Sequence, residues 1–428
     1  MTTSTLRGPR AARSSRPVRR RRWRIYPRHR LDLSARHLAL ALGSSILGRA
    51  AERGEAALEA ALGVDEAIVC FSVRSGFELL LDALGLPQGS EVLVSAITHP
   101  DMVRILERHG LVAVPVDLDL RTLAPRPDRM AAAVSPRTRA VLVAHLFGGR
   151  ADLDETVRIA RRHGLVLLED CAQAFLGPAD RGDPRADVSM FSFGSIKTSA
   201  ALGGAVLYVR RWHLVQAMRS RRAFWPRQSR WEYCARAVRF CGLHVLESPW
   251  IYGTVVGLGR LAGADVDAVV DRAVHALRPP PAGREESFER WLRRRPSAPL
   301  LAVLADRLRS FDADRLRRRA ERGEDLAGRL PPWLFHPGDR ARERTHWVFP
   351  VLADDPAALI AALRAAGFDA TRGTTSIAAI PAASPEWSPA DAIRLMEGVV
   401  FLPAYPELPS GAVDRLLAVL ETAKEARP

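Results

Sequence analysis

The chain has 428 residues, 47% of them hydrophobic, enough to bury a sizeable core and to divide into two lobes. Its net charge is +15, yet residues 1–31 hold eleven arginines and no acid, so the remainder carries only about +4. Four cysteines at irregular spacing (Cys70, Cys171, Cys234, Cys241) form neither a disulfide framework nor a zinc-binding pattern and predict a reducing, cytoplasmic setting.

The basic block reads as a disordered, solvated arm over residues 1–35, able to touch anionic lipid or nucleic acid without specificity. The apolar run Leu38–Leu47 is too short for a signal sequence and is interrupted by Gly43-Ser44-Ser45, so it is assigned to the folded entry. A helix over 55–62 precedes a short strand, Ala67–Phe71, and Ser72–Gly76 turns into a helix beginning at Phe77. Strands follow at Glu91–Ser95, Val112–Val116, Ala140–His145, Leu165–Leu168, Val188–Phe193 and Ala205–Val209. Alternating with helices of about a dozen residues, these apolar runs predict an α/β fold. Its large domain, over 36–210, has a mostly parallel sheet sandwiched by helices. Ligands of such sheets sit beyond the carboxyl ends of the strands, where this chain places its polar residues.

Residues 211–295 break the pattern and read as a divergent insertion. Within 220–262, arginines are mixed with Phe224, Trp225, Trp231, Trp250 and Tyr252, which suits either a membrane interface or the surface of a dimer partner. Glu247 and Pro249 argue against a membrane span. Pro279–Gly283 marks a linker. A single long helix is predicted over Pro299–Leu330, and 296–428 then closes with a smaller α+β domain.

Only two lysines occur among 63 basic residues, Lys197 and Lys424. Arginine evidently serves wherever charge alone is needed, whereas lysine can lose its proton and condense with a carbonyl. Lys197 lies between Phe193 and Gly203-Gly204 and is the candidate Schiff-base amine. Asp170, ending a buried strand, is the candidate partner for a protonated pyridine nitrogen. Ser75-Gly76-Phe77 at a helix start, with Ser192, is the candidate phosphate cradle. His99 is placed to stack on a ring, and Gln173, one helical turn past Asp170, to face its hydroxyl. Together these point to pyridoxal 5'-phosphate; no metal site is expected.

The motif order Ser75-Gly76, Glu169-Asp170-Cys171-Ala172-Gln173-Ala174, Ser192-Phe193 and Lys197 resembles the DegT/DnrJ/StrS sugar aminotransferases of the aspartate-aminotransferase fold. His145-Leu146-Phe147-Gly148 and Leu402-Pro403-Ala404-Tyr405-Pro406 extend the likeness over about residues 40–210 and 295–420. The resemblance implies pyridoxal phosphate held covalently by Lys197, which also shuttles the proton, with Asp170 at the ring nitrogen and Gln173 at the ring oxygen. Ser75, Gly76 and Ser192 would hold the phosphate. It further implies a homodimer, glutamate as amino donor and a keto sugar, commonly nucleotide-linked, as acceptor. The chain departs from the family at Phe77 (threonine in relatives), at His99 (an aromatic ring) and at Arg293-Arg294-Arg295-Pro296-Ser297, where relatives carry Asn-x-Arg-x-Ser. A related dehydratase carries histidine at the lysine position, which Lys197 contradicts. The rival readings are the same chemistry on a lipid-linked sugar at the membrane surface, and a non-catalytic scaffold.

Overall fold

A computed structural model describes residues 24–47, 51–62, 66–263, 280, 283–373 and 376–423. The large lobe is built on a seven-stranded sheet whose strands, in chain order, are β1 (Ala67–Cys70), β2 (Glu91–Ser95), β4 (Val112–Val116), β5 (Thr138–Ala144), β7 (Val166–Asp170), β8 (Val188–Ser192) and β9 (Ala205–Val209). The two-residue strands β3 (Ile97–Thr98) and β6 (Gly149–Arg150) lie outside it. Across the sheet the order is β1-β9-β8-β7-β5-β2-β4; β4, β2, β5, β7 and β8 run parallel, while β9 pairs antiparallel with both β8 and β1. The predicted fold class therefore stands, with strand limits moved by at most two residues.

Most of the strand residues are apolar and buried, because helices cover both faces. On one face the helix Val73–Leu84 brings Phe77, Leu80 and Leu81 onto Ile68, Leu168, Met190 and Leu207. On the other, helices Ala35–Leu47 and Ala298–Arg309 bring Leu38, Ala41, Leu300 and Leu304 onto Val69, Phe191 and Val206. The smaller lobe centres on the antiparallel pair Phe349–Leu352 and Val399–Leu402, packed by helices Pro356–Ala365 and Ser410–Thr422. Strand β3 pairs with Ala378–Ala379, joining the lobes beside the strand ends.

Three expectations are corrected. The arm does not extend to residue 35. Ile25, Tyr26 and Leu33 are buried, Tyr26 bridges to Phe368, and the Arg28 guanidinium grips Asp369 at 2.7 Å. Residues 24–34 are thus a packed strap; residues 1–23 lie outside the described part, as do Lys424 and most of the Pro279–Gly283 linker. The long helix is really two, Ala298–Arg309 and Ala313–Gly328, because the Asp312 carboxylate caps the second by accepting from Arg315 N. The helix placed at Phe77 begins one turn earlier, at Val73, with consequences for the site. The region read as an insertion holds three described helices, Trp212–Ala223, Arg230–Val245 and Pro249–Leu261.

Candidate active site

The carboxyl ends of β7 and β8, the start of helix Val73–Leu84 and the segment after β3 surround one cavity of about 1520 Å³. Ligand pockets run to about 1000 Å³, so the space admits a cofactor and a second molecule together. Lys197, Asp170, Gln173, Ser192 and His99 all line it. The sequence had brought these five together across about a hundred residues.

Lys197 sits in a turn after β8, its backbone N–H donating to Gly194 O at 3.0 Å. Its Nζ lies 4.2 Å from the ring centroid of Trp347, whose indole N–H donates to Ile196 O and so locks the ring beneath the amine. Burial lowers the Lys197 amine from its ordinary 10.5 to about 8, against the charge of Asp170, with Arg74 adding to the drop. An amine poised there is largely protonated at pH 7 but loses its proton readily.

Asp170 carries the opposite perturbation. Burial pushes its carboxyl above the usual carboxylate range despite the Ala172 N–H that donates to Oδ1 at 2.9 Å and the nearby Lys197 charge. A buried carboxylate in this state is stabilised by any cation brought against it. Its neighbour Glu169 is fully engaged. Glu169 Oε1 accepts from Arg150 and from His145 Nε2, both at 2.8 Å, and Oε2 accepts from Ser189 Oγ and Asp183 N. His145 Nδ1 accepts from Ala151 N, which leaves the ring proton on Nε2 for Glu169. These bonds outweigh burial and hold Glu169 well below the carboxylate range. His145, Glu169 and Cys171 also lie close enough to hold a metal, but the pairing with Arg150 already neutralises that carboxylate.

The candidate phosphate cradle lies one turn before its predicted place. Ser72 is the N-cap and its Oγ accepts from Ser75 N at 3.1 Å, while Gly76 N donates to Ser72 O. The N–H groups without a helical partner are those of Val73 and Arg74, and Ser72, Val73 and Arg74 line the cavity. Ser75, Gly76 and Phe77 do not. Ser75 is fully buried, and Phe77 belongs to the core beneath the sheet. Gly76 is needed for close packing instead: a Cβ there would come within 2.5 Å of Leu207 Cδ1. Both Ser72 and Ser75 are good caps, and the glycine drew the reading one turn too far. Arg74 adds a charge beside the cradle, pairing with Asp101 at 2.5 Å and lying 4.6 Å over the Trp291 ring.

His99 faces the cavity but also caps helix Pro100–Arg108, its Nδ1 accepting from Asp101 N. Gln173 Oε1 accepts from Phe147 N at 2.9 Å, which fixes the side chain at the cavity wall. Arg293 is committed within its own chain, to Glu78 at 2.9 Å and to Glu289. Sequence reasoning missed Trp347 and Asp32. Asp32 stands behind the lysine turn: its carboxylate accepts from Ser199 N at 2.6 Å and meets Arg307 at 3.0 Å and Arg315 at 3.3 Å. Those charges and that N–H overcome burial and lower its pKa. Chemically, the cavity suits a ligand with a carbonyl for the amine, a cationic ring nitrogen for Asp170 and an anionic group for the helix start.

Residues 33–232 match the model of the DegT/DnrJ/EryC1/StrS aminotransferase family. The chain is 36% identical over 203 residues to the L-glutamine:2-deoxy-scyllo-inosose aminotransferase of Streptoalloteichus tenebrarius, a stretch covering 45% of this chain and 48% of that one. It is 34% identical over 152 residues to the GDP-perosamine synthase of Caulobacter vibrioides, covering 35% and 41%. The chain thus spans about half the length, or less, of these relatives. Among solved structures, S. venezuelae DesV superposes with a TM-score of 0.63 at 22% identity, covering 92% of this chain and 95% of that one. The Bacillus subtilis protein NtdA, solved with bound cofactor PMP, gives 0.64 at 15% identity, covering 92% and 83%. At such identities the superpositions establish the fold, and they do so over nearly the whole chain. Over residues 33–232 the chain is thus similar to the DegT/DnrJ/EryC1/StrS aminotransferase family, and the fold of these solved structures extends beyond that stretch.

Proposed function

We propose that the protein is a pyridoxal-phosphate aminotransferase that moves an amino group from glutamate, or from glutamine as in the inosose relative's name, to a keto sugar carried on a nucleotide. The observation that carries the reading is the presence on one cavity of an amine with a lowered pKa, Lys197, and a buried carboxylate, Asp170, that makes no close ion pair among the described residues. Pyridoxal phosphate fits the residues present: Asp170, with no close ion pair among the described residues, could take a pyridinium, and the Ser72–Arg74 turn offers N–H groups to a phosphate. When bound, the cofactor supplies an aldehyde and an electron-withdrawing ring.

In this reading Lys197 holds the cofactor, is released by the amino donor, and then takes and returns the proton at the substrate carbon. Its lowered pKa lets it serve as base and acid near neutral pH. Asp170 keeps the ring nitrogen protonated, Gln173 orients the ring oxygen, and Ser192 with Ser72, Val73 and Arg74 holds the phosphate. His99 takes the ring-stacking position. Trp347 limits the amine's swing and shields it from water. Arg239 and Arg236 at the cavity wall suit the diphosphate of a nucleotide sugar. A homodimer belongs to the reading.

The test is direct. Purified protein loaded with pyridoxal phosphate absorbs in the visible, bleaches with the amino donor and recovers with the acceptor. A donor and keto-sugar screen followed by that absorbance identifies both substrates. Protein that takes up no cofactor, or whose colour no donor bleaches, overturns the proposal and leaves the scaffold reading.

A further inference from the structure

Helix Ala313–Gly328 is rich in arginine, and one of its arginines is placed unlike its neighbours. Arg317 and Arg318 are exposed and meet acids of the helix or its cap, whereas Arg319 is 5% exposed. No carboxylate pairs with Arg319 among the described residues, and burial lowers its pKa to about 10 against the charge of Asp32. A cation kept dry without a paired acid costs stability, so cohesion alone does not account for it.

Its donors go to two segments far apart in the chain. Arg319 Nε donates to Thr345 O at 2.9 Å, and Nη2 donates to Thr198 Oγ1 at 3.0 Å. Thr198 follows Lys197, and Thr345 stands two residues before Trp347. One guanidinium therefore holds both the turn that carries the amine and the segment that carries the ring facing it. The rigid planar fork sets the separation of the two.

The Trp347 segment is itself fixed. Thr345 Oγ1 donates to Gly148 O at 3.0 Å, and a Cβ at Gly148 would collide with Trp347 N. His346, just before the tryptophan, is left-handed with φ of 46°, a strained conformation for a residue with a side chain. The Arg319 helix holds it there. Gly323 leaves space that any Cβ would take from the imidazole, and Glu324 Oε1 meets His346 Nε2 at 2.8 Å. Behind the lysine turn only about 20 Å³ of free space remains between Arg319, Ile196, Lys197 and Trp347, so the amine has no room to withdraw.

We infer that Arg319 is a positioning residue for Lys197: by tying Thr198 to Thr345 it fixes the amine over the Trp347 ring. The inference rests on the reading of Lys197 as the cofactor-holding amine. Arg319 does not line the large cavity, so it acts through the two threonines.

The test uses the scarcity of lysine, with Lys424 as internal reference. Cofactor-free protein is reductively methylated with formaldehyde and cyanoborohydride between about pH 6 and pH 10, and each lysine is followed by peptide mass spectrometry. The wild-type Lys197 rate should reach its plateau with a midpoint at about 8. Thr198→Val and Arg319→Met should each raise that midpoint by about one unit, a tenfold loss of neutral amine at pH 7, as the freed amine leaves the ring for water. Asp170 and Arg74, the charged groups that act on the amine, are unchanged in both. Combining the two substitutions should shift it no further than Arg319→Met alone, because both break the same bond. Arg319→Lys should not restore the midpoint, since an ammonium lacks the fork. An unmoved midpoint in Thr198→Val, which keeps the side-chain shape and reports even where Arg319→Met does not fold, overturns the inference. Full rescue by Arg319→Lys overturns it as well. The labelling needs no cofactor, so a shift in protein that takes up no pyridoxal phosphate upholds the clamp and refutes the proposed function.

Discussion

Two carboxylates flank the lysine turn, Asp170 buried and Asp32 half-buried, and they are built in opposite ways. Asp32, behind the turn, is saturated by Arg307, Arg315 and the Ser199 N–H, and its pKa is lowered. Asp170, in front, has a backbone N–H on Oδ1 and a raised pKa. Charge already neutralised inside the protein makes a strut; charge left wanting a cation makes a binding group. The difference separates positioning from chemistry without reference to any bound molecule.

The largest effect belongs to the amine between them. Lys197→Ala should lower turnover by about a thousandfold or more and remove covalent cofactor retention on gel filtration. Next, Asp170→Asn should lower kcat by about a hundredfold while leaving the cofactor-free fold no less stable. The sign follows from its raised pKa: the ionised carboxylate costs stability above its folded pKa, and asparagine removes that cost. A cofactor-free melting temperature well below wild type at pH 7 would erase the contrast with Asp32.

Asp32→Asn should do the reverse, destabilising by about 3 kcal/mol at pH 7 because it takes the carboxylate from Arg307 and leaves Arg315 with Glu407 alone. Its lowered pKa means that this stabilisation is present above the ordinary carboxylate pKa and lost as pH falls through the folded value. The gap between the two proteins should therefore close in acid, as denaturant titrations at two pH values would show. The smallest effect is kinetic. Capture of the cofactor needs neutral Lys197, so its rate should rise about fivefold from pH 7 to pH 8 and less than twofold beyond, for a pKa of about 8. Stopped-flow absorbance measures it, and a slope continuing to pH 10 would mean an unperturbed lysine.

Much of this was legible before any coordinates. Ala205–Val209 is a strand with the limits read from its apolar run, and Lys197 was singled out by the rarity of lysine in an arginine-rich chain. What escaped depends on tertiary approach. Trp347 and Asp32 reach the lysine turn from 151 and 167 residues away, in opposite directions, which no local pattern records. The misplaced helix start is a local error with a tertiary cause: Gly76 is set by the approach of Leu207, not by a ligand. Ser310-Phe311-Asp312 carried a capping signal that the run of leucines and alanines around it obscured.

The strap also ties parts of the molecule that the sheet keeps apart. Through Tyr26 and Arg28 it is fastened to Phe368 and Asp369 in the smaller lobe, and four residues later Asp32 is fastened to Ser199, two residues from the amine. Four residues of extended chain have little slack. A swing of the smaller lobe would thus pull on the turn that carries Lys197, and trimming the amino terminus past residue 32 would remove that tether while leaving every side chain that lines the site cavity in the protein.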